Sequence, residues 1–494
     1  MKVLLVLPPM AFYPSERIQV GPPLGLAYIA AVLERAGIDV SILDALILGL
    51  ENACLISMHE QTLELRGLDW KSLEVRIANE DPDIVGISCL FSSQAWTCHK
   101  LAKIVKKIDK DIVTIMGGAH PSAIPFEVLK DENLDFVVIG EGEATVLDLV
   151  SCLEKDASKK AIQKVKGIAY RDNREYVKTP RRPLIENLDT LPFPAHHLLP
   201  MKKYAKASHG VNIKRKPFFS MITSRGCPGR CTFCSIHTIW GRVWRARSPV
   251  NVVDEIELLV DKYGVREIHF EDDNLTLDPR RMRGICDEIM KRDIDITWST
   301  PNGVRIDTLS KELLLKMKDS GCFALNFGIE SGDPVVRRGI IKKPISIPHA
   351  KKVVKWCRQI GIWTSGFFIL GMPGENETTF QKTIKLAKDL RLDSASFFIA
   401  TPYPGTKLYA TCLERDYIQE INWEELRVFH PMIETEDFKK KDLYKWRKKA
   451  YRAMAKYRLS SPKLILHELS NISSFEDLYQ YFRLLKRLLQ ILRT

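Results

Sequence analysis

The chain has 494 residues, of which 45% are hydrophobic and 27% charged, proportions that exclude a disordered or fibrous chain. The length predicts two to four domains on a scale of about 150 residues each. The formal net charge is +13, but fifteen Lys and Arg against four Asp and Glu lie between Lys439 and Thr494, which places +11 in this tail. The rest of the chain is nearly balanced, so no nucleic-acid partner is predicted.

The N-terminal sequence MKVLLVLPPM predicts a first strand. Its apolar run has five residues, ends at two prolines and has no small-residue cleavage site, so it does not resemble a signal peptide. No apolar run is long enough to span a bilayer. Eight of the eleven cysteines are scattered singly, which argues against a disulfide framework and favours a reducing cytoplasm.

Residues 1–155 alternate strand and helix patterns and predict one domain. Apolar strands such as DVSILDA and DIVGISCLF alternate with helical segments such as GLAYIAAVLERAG, which predicts a doubly wound, Rossmann-like α/β sheet. Such sheets bind ligands at the carboxyl ends of their strands. The predicted ends carry small residues: Ser88, Gly117, Gly118, Gly140 and Gly142. The alternative is that these glycines only form tight turns.

The remaining chain divides into three predicted regions. Residues 156–215 read as a linker with a hairpin at GIAYRDNREYVKTP, and proline-rich sequence follows. Residues 216–410 contain six strand patterns separated by helical patterns, which predicts a partial, TIM-like (β/α)6 barrel with its chemistry at the carboxyl strand ends. Residues 411–494 are mostly helical and basic. Their last segment, FEDLYQYFRLLKRLLQILRT, has an amphipathic stripe.

The segment RGCPGRCTFCS contains Cys227, Cys231 and Cys234 in the spacing C-x3-C-x2-C. Three chemistries fit these residues. His237 would complete a Cys3His zinc site, Cys231 and Cys234 form a C-x-x-C redox motif, and three thiolates also hold an iron-sulfur cluster with one open iron. Chance clustering is the alternative to all three.

The cysteine loop resembles that of the radical S-adenosylmethionine (SAM) enzymes, in which C-x3-C-x2-C holds a [4Fe-4S] cluster. Phe233 stands where the family usually has an aromatic residue before the third cysteine. The resemblance continues through HFEDDN, NGVRID, GIESG, GFFILGMPGE and TPYPGTKLY, at the ends of the second to sixth predicted strands. It implies that the open iron chelates the amino and carboxylate groups of SAM, whose reductive cleavage gives a 5′-deoxyadenosyl radical.

The same resemblance implies a set of SAM-binding residues. Glu330 matches the acid near the SAM ribose, although it could simply cap a helix. Arg305 is expected near the SAM carboxylate, or else in a salt bridge at the barrel end. Asp272 is expected near the cluster, or else on backbone amides of a neighbouring loop. The complete predicted set is Phe233, Asp272, Arg305, Gly328, Glu330, Ser331, Gly371 and Met372.

The N-terminal region resembles the cobalamin-binding (B12-binding) subfamily of radical SAM enzymes. The resemblance rests on VGPPLGLAYIAAVLERAG, IVGISCLFSS, IMGGAHPS, VIGEGE and the linker LDTLPFPAHHLL. It implies cobalamin contacts at Ser88, Gly117, Gly118, Gly140 and Glu141. In some cobalamin proteins the histidine of a D-x-H-x-x-G motif ligates cobalt. This motif is absent from the sequence, so the sequence does not identify a lower ligand for cobalt.

Together the two resemblances imply a C-methyltransferase that abstracts hydrogen and transfers methyl from methylcobalamin to an unactivated carbon. The alternatives are oxidative cyclisation or ring rearrangement of a tetrapyrrole or lipid, and a non-catalytic cobalamin or iron-sulfur sensor. The expected partners are a small-molecule or lipid substrate and a low-potential electron donor such as flavodoxin or ferredoxin. The amphipathic C-terminal helix predicts either peripheral membrane contact or packing on the barrel.

Overall fold

The structure is a computed structural model. It describes residues 1–462 except 15–17, 19, 59–60, 208–212 and 420, and after 462 only 465, 466, 469, 478, 481, 482 and 486. The described chain forms two compact units. The first comprises Met1–Pro228, Ser235–Ile268 and Asn422–Leu426, and the second comprises Gly229–Cys234, His269–Ile421 and Arg427–Thr494.

The first unit is built on a seven-stranded sheet with the order β10-β9-β8-β7-β6-β1-β3. Five neighbouring strands, β8 to β3 in that order, are parallel, and β9 and β10 add an antiparallel edge hairpin. The strands are β1 (Lys2–Leu7), β2 (Met10–Phe12), β3 (Asp39–Asp44), β4 (Ala53–Met58), β5 (Gln61–Arg66), β6 (Ile84–Ser88), β7 (Val113–Gly117), β8 (Phe136–Val138), β9 (Ile168–Asp172) and β10 (Glu175–Lys178). The helices are α1 (Leu24–Arg35), α2 (Ala45–Leu48), α3 (Trp70–Glu80), α4 (Ala95–Ile108), α5 (Ala119–Ala123), α6 (Pro125–Val128), α7 (Glu143–Lys155), α8 (Lys159–Ile162) and α9 (Met201–Lys206).

Both faces of this sheet are covered by helices, which explains why its strands are continuously apolar. In β1, Leu4 and Val6 belong to the core cluster that contains residues of α3 and α4, whereas Val3 and Leu5 belong to the cluster that contains residues of α1 and α7. Strand β3 lies on one side of β1, and the chain then crosses to the other side of β1 to form β6, so the strand order reverses at β1. Such a reversal opens a crevice at the carboxyl ends of the strands, where doubly wound sheets bind their ligands.

A six-stranded sheet in the order β11-β14-β15-β16-β17-β18 follows. Except for the short hairpin β12-β13, neighbouring strands of the sheet follow chain order, as in the predicted partial barrel. The strands of this part of the chain, including the separate hairpin, are β11 (Phe218–Met221), β12 (Ser224–Arg225), β13 (Arg245–Ala246), β14 (Glu267–Phe270), β15 (Thr297–Val304), β16 (Cys322–Glu330), β17 (Trp363–Leu370) and β18 (Ser394–Ile399). The helices are α10 (Pro249–Tyr263), α11 (Pro279–Lys291), α12 (Lys311–Asp319), α13 (Ile347–Ile360), α14 (Glu377–Asp389), α15 (Lys407–Glu414) and α16 (Lys440–Leu459).

Local sequence signals set the ends of these helices. Helices α10, α11 and α13 begin with a capping Ser or Asp followed by Pro at the first helical turn, a combination that satisfies exposed N–H groups and presets the backbone. Helices α10 and α13 end at Gly264 and Gly361, both in the left-handed conformation.

The structure adds two small sheets that the sequence did not predict, one of which is the hairpin β12-β13. Strands β2, β5 and β4 form a small antiparallel sheet in that order. The predicted hairpin at 168–178 is present as β9 and β10. The predicted amphipathic helix at residues 475–494 lies almost entirely outside the described residues. Among the described residues, no helix has the length and hydrophobicity required to cross a membrane.

Candidate functional site: a cysteine loop, a Glu330–Lys343 pair and three strand-end loops

The cysteine loop is held by backbone contacts on both sides. Within the second unit, the N–H of Thr232 donates to the carbonyl of Ile341 at 3.1 Å, and the carbonyl of Thr232 accepts from the N–H of Leu408 at 2.8 Å. Within the first unit, Gly226 has φ +82°, and an added Cβ would lie 2.3 Å from the carbonyl oxygen of Val243. Glycine is therefore required immediately before Cys227.

The three cysteines of the loop present thiols suited to a cluster. Cys227, Cys231 and Cys234 are each partly exposed, and none of the eleven cysteines, which all lie in the described ranges, forms a disulfide. Among the described residues, no group of three His, Cys, Asp or Glu side chains is arranged around a single metal ion. A [4Fe-4S] cluster differs from a single ion because each thiolate binds its own iron. The donor set therefore fits such a cluster.

Glu330 ends β16 in an unusual backbone conformation. Its φ is +66°, which is costly for a residue with a side chain and is typical of functional positions. Its carboxylate Oε1 accepts from Lys343 Nζ at 2.7 Å, and its side chain is 6% exposed. A π-helical turn at Val336–Ile340 lies between the two residues, and such turns are frequent at functional sites.

Lys343 is a residue of this site that sequence reasoning missed. Burial alone would lower its pKa, but the negative charge of Glu330, Cys231 and Cys234 raises the pKa above its ordinary value. The ammonium of Lys343 therefore lies in the electrostatic field of two thiols of the cysteine loop. Thirteen residues separate Lys343 from Glu330, so no local spacing rule indicates the pair.

The turn after β17 is organised by Glu375. Its Oε2 accepts from the N–H groups of Gly371 and Met372, both at 2.9 Å. The side chain is fully buried, and desolvation raises the pKa of Glu375 to about 8. The two N–H groups that follow β17 are thus taken by this carboxyl group. The SAM contacts predicted for Gly371 and Met372 stay predictions.

The other predicted SAM residues occupy varied positions in the second unit. Ser331 is fully buried, and its hydroxyl lies 3.3 Å from that of Thr383 and accepts from the N–H of Asp333. Arg305 donates to Asp307 at 3.1 Å and has a side chain that is 38% exposed. Asp272 is buried and Phe233 partly exposed. Ser331 therefore joins β16 to α14, and the ligand contacts of all four residues stay predictions.

In the first unit, hydrogen bonds join the loops that follow three adjacent strands. The N–H of Cys89 donates to the carbonyl of Gly117 at 2.8 Å. Gly118 has φ +122°, and an added Cβ would lie 2.3 Å from the carbonyl oxygen of Cys89. The N–H of Gly140 donates to Ser122 Oγ at 3.0 Å. The loops after β6, β7 and β8 are thus joined by hydrogen bonds at the carboxyl ends of the strands, and the loop after β6 exposes the apolar side chains of Leu90 and Phe91.

Two histidines and one acid of this region have partners of their own. His120 is buried beside Ser92 and Trp423, and desolvation lowers the pKa of His120 to about 4. His99 contacts Asp131 at 2.8 Å. Glu141 accepts from Arg225 and Arg245 and is 3% exposed at its side chain. Its predicted role as a cobalamin contact is thus limited to its backbone while these ion pairs persist.

Comparison with known proteins matches both halves of the chain. Residues 221–387 match the model of the Radical SAM superfamily, and residues 16–150 match that of the B12 binding domain. An uncharacterized methyltransferase of Pyrococcus horikoshii is 36% identical over 91% of this chain and 92% of its own length. The chain belongs to the B12-binding radical SAM enzymes.

Two further relatives carry names of defined reactions. The cytidylyl-2-hydroxyethylphosphonate methyltransferase of Streptomyces wedmorensis is 36% identical over 84% of this chain and 82% of its own length. An anaerobic magnesium-protoporphyrin IX monomethyl ester cyclase of Rubrivivax gelatinosus is 28% identical over 88% of this chain and 73% of its own length. The methyltransferases are thus more similar to this chain than the cyclase is.

Solved structures show the same fold. The radical SAM methyltransferase TsrM of Kitasatospora setae, bound to tryptophan and a SAM analogue, has a TM-score of 0.66 at 18% identity and covers 85% of this chain and 77% of its own. The cobalamin-dependent radical SAM enzyme OxsB, bound to aqua-cobalamin and SAM, has a TM-score of 0.63 at 19% identity and covers 84% and 55%.

These findings confirm the predicted family, the α/β fold class and the three cofactors, which are a [4Fe-4S] cluster, SAM and cobalamin. The prediction of a radical SAM methyltransferase is confirmed by the relatives named above. The boundaries predicted for the four regions and the residues predicted to contact each cofactor stay predictions.

Proposed function

We propose that this enzyme methylates an unactivated carbon of a small molecule and that Glu330, Lys343 and the three loop cysteines form its SAM-cleaving site. The observation that carries the proposal is the Glu330–Lys343 pair, because the turn between its two residues is hydrogen-bonded to the cysteine loop, where Thr232 Oγ1 donates to the carbonyl of Ile340 at 2.9 Å. It brings a carboxylate able to accept from ribose hydroxyls and an ammonium able to pair with a carboxylate to the side of the cysteine loop.

The residues of the chain have distinct tasks in this proposal. When bound, the cluster supplies the electron that cleaves SAM to methionine and a 5′-deoxyadenosyl radical, and methylcobalamin supplies the methyl group. Cys227, Cys231 and Cys234 hold three irons. Glu330 orients the ribose. Lys343 holds Glu330 in place and favours an anionic group nearby. A radical is needed because side-chain bases cannot remove hydrogen from an unactivated carbon.

The loops after β6, β7 and β8 are proposed to receive cobalamin. Support comes from the position of these loops at the carboxyl ends of adjacent parallel strands, where doubly wound sheets bind their ligands. We propose a small-molecule substrate, because tryptophan is bound in TsrM and a cytidylyl phosphonate is named for the relative from Streptomyces wedmorensis. A flavodoxin or ferredoxin is the proposed electron donor.

Product analysis tests this function directly. The reconstituted enzyme is incubated anaerobically with SAM, hydroxocobalamin, reductant and a panel of candidate substrates. Methyl transfer predicts that 5′-deoxyadenosine and S-adenosylhomocysteine both form in proportion to methylated product. Oxidative cyclisation predicts 5′-deoxyadenosine without S-adenosylhomocysteine, and this result would replace methyl transfer by the cyclase function. Formation of neither compound under any condition would favour a sensor.

Substitutions test the proposed ligands of the cluster. We expect Cys227→Ala, Cys231→Ala or Cys234→Ala to lower the iron content and abolish SAM cleavage, because the [4Fe-4S] cluster loses one of its three protein ligands. The matched control is His237→Ala, which should keep the iron and the EPR signal of the reduced cluster. Loss of metal in the His237 variant would favour the interpretation of the cysteine loop as a Cys3His zinc site.

Lys343→Met tests the SAM site separately. Removing the ammonium leaves the buried carboxylate of Glu330 unpaired, and we expect SAM affinity to fall about tenfold, the effect of losing one charge-assisted hydrogen bond. Lys342→Met is the control, because Lys342 is the exposed neighbouring residue. Equilibrium dialysis with labelled SAM measures both variants, and equal affinities would remove Lys343 from the proposed site.

A further inference from the structure

Four charged side chains of the first unit meet in its interior. Arg225 donates from Nη1 to Glu141 Oε1 at 3.0 Å and from Nη2 to Glu143 Oε1 at 2.5 Å. Arg245 Nη1 donates to Oε1 and Oε2 of Glu141 at 2.9 and 3.0 Å. The four side chains are each at most 6% exposed. Two guanidinium groups and two carboxylates thus balance each other away from solvent; we name this set the buried quartet.

The buried quartet connects two loops that the proposed function assigns to different cofactors. Glu141 directly follows Gly140 in the loop after β8, and Glu143 begins α7. Arg225 ends β12, and only Gly226 separates it from Cys227. Arg225 and Arg245 are register partners across the hairpin β12-β13. A movement of the loop after β8 would therefore be passed to Arg225, two residues before the first cysteine of the loop.

The chemistry of the buried quartet favours positioning over stability. A buried ion pair has a desolvation cost that its attraction often does not exceed, so apolar replacements can be equally stable. What the fork of Arg225 adds is a fixed geometry, because its two nitrogens each meet a different carboxylate. The rings of Trp240 and Tyr28, at 4.5 and 5.3 Å from the guanidinium carbon, restrict it further.

The pairing in the buried quartet is also incomplete. Among the described residues, Glu143 Oε2 and Arg245 Nε are buried and have no hydrogen-bond partner. One acceptor and one donor of the buried quartet therefore remain available for another partner. A packed charge cluster that can exchange partners is the kind of element that responds to a ligand in discrete steps.

We propose that Arg225 is a positioning residue that couples cobalamin binding at the loop after β8 to the environment of the iron-sulfur cluster at Cys227. The inference rests on the proposed placement of cobalamin at this loop. It predicts that occupancy of the cobalamin site alters the spectroscopic signature of the cluster and that the buried quartet is required for this effect.

The test compares the EPR spectrum of the reduced [4Fe-4S] cluster in the full-length, reconstituted enzyme with and without hydroxocobalamin. For the wild-type enzyme, we expect cobalamin to shift the g-values of the cluster signal. For Arg225→Lys, which keeps the charge but loses the fork, we expect most of this shift to disappear while cobalamin affinity stays within about threefold of wild type. Iron content and absorbance titration with hydroxocobalamin are measured on the same samples.

Two further variants keep the test decisive. The double variant Arg225→Met with Glu143→Leu removes both partners of one ion pair and leaves no unpaired charge between them, so it should fold if Arg225→Lys does not. Arg247→Lys is the control. Arg247 and Glu255 form an equally buried ion pair of the same unit, and this pair lies outside the buried quartet. We expect Arg247→Lys to lower the melting temperature and to keep the cobalamin-dependent shift.

Three results would overturn the proposal. The first is a wild-type cluster signal that does not change although absorbance shows cobalamin bound. The second is a full shift in Arg225→Lys or the double variant with normal iron content. The third is a wild-type enzyme that binds no cobalamin, which would also remove the proposed cobalamin site. The first two leave methyl transfer intact, so failure of the coupling is distinguishable from failure of the function.

Discussion

Gly328 leaves room for the ion pair between Lys343 and Glu330. It lies on β16 two residues before Glu330, and an added Cβ would stand 2.3 Å from Lys343 Nζ and 2.5 Å from Glu330 Oε1. Both distances are shorter than any van der Waals contact, so the ends of these two flexible side chains would have to move apart. The glycine of the GIESG motif therefore favours the ion pair beside it, which is a more specific reason than a strand end.

We therefore predict that Gly328→Ala separates the ion pair and lowers SAM affinity about tenfold, as expected for one lost charge-assisted hydrogen bond. Gly339→Ala is the matched control, because a Cβ added at Gly339 meets nothing within 4 Å. Equilibrium dialysis with labelled SAM gives both affinities, and iron analysis shows whether the cluster is retained. Equal affinities for the two variants would show that the ion pair does not support SAM binding.

Residues of the site differ in how far the sequence indicates them. Cys227, Cys231, Cys234 and Glu330 were accessible because they lie inside short motifs. Lys343 was not, since a π-helical turn returns the chain to Glu330 and no linear spacing encodes that return. Arg225 could not be assigned a role from the sequence, because its partners Glu141 and Glu143 lie more than eighty residues earlier.

Strands and helices were predictable where burial or capping leaves a local sequence pattern. Strand β1 packs on both faces and reads as a continuous apolar run, and α10 has a capping Ser, a Pro and a terminal Gly. Strand β4 could not be identified in this way, because its residues are mostly exposed and show no alternation. Its place is set by antiparallel pairing with β5, an interaction between segments that leaves little local signature.

The turn after β17 gives the fold a pH dependence that can be assigned to one side chain. Burial raises the pKa of Glu375 to about 8 from 4.5, so the folded protein binds a proton that the unfolded chain releases between these values. Stability from this group is fully present below about pH 4.5 and is lost as the pH rises toward 8. Asp333, whose charge contributes to the raised pKa, is the acid that faces it.

We predict that Glu375→Gln flattens this part of the stability profile. The amide oxygen of Gln can still accept from the N–H groups of Gly371 and Met372, while the group no longer ionises. The variant should equal the wild type near pH 4 and exceed its melting temperature at pH 9. Thermal unfolding from pH 4 to 9 measures the difference between the two proteins. Groups that titrate in both proteins, such as Asp44, whose pKa burial raises to about 6, cancel in this difference. A constant difference across this range would contradict the assignment.

At the scale of the whole molecule, the two compact units hold different sets of proposed contacts. The strand-end loops after β6, β7 and β8 belong to the first unit, and Glu330, Lys343 and the turn after β17 belong to the second. A ligand stabilises the state that binds it by an amount set by its concentration over Kd, about 2.7 kcal/mol at a hundredfold excess. Each cofactor should therefore slow opening most strongly in the segments that contact it.

Hydrogen exchange resolved by mass spectrometry tests this distribution in the full-length enzyme. We predict that hydroxocobalamin at a hundredfold excess over its Kd slows exchange by up to about a hundredfold in peptides covering residues 88–92, 117–122 and 138–143. SAM, added to the cluster-loaded enzyme, should slow exchange in residues 326–343 and 368–375. S-adenosylmethionine-free, cluster-loaded enzyme is the reference for both. Protection of 326–343 by cobalamin with no protection at 117–122 would move the cobalamin site away from the strand-end glycines, whose close packing, such as that of Gly118 on Cys89, would then be their whole role.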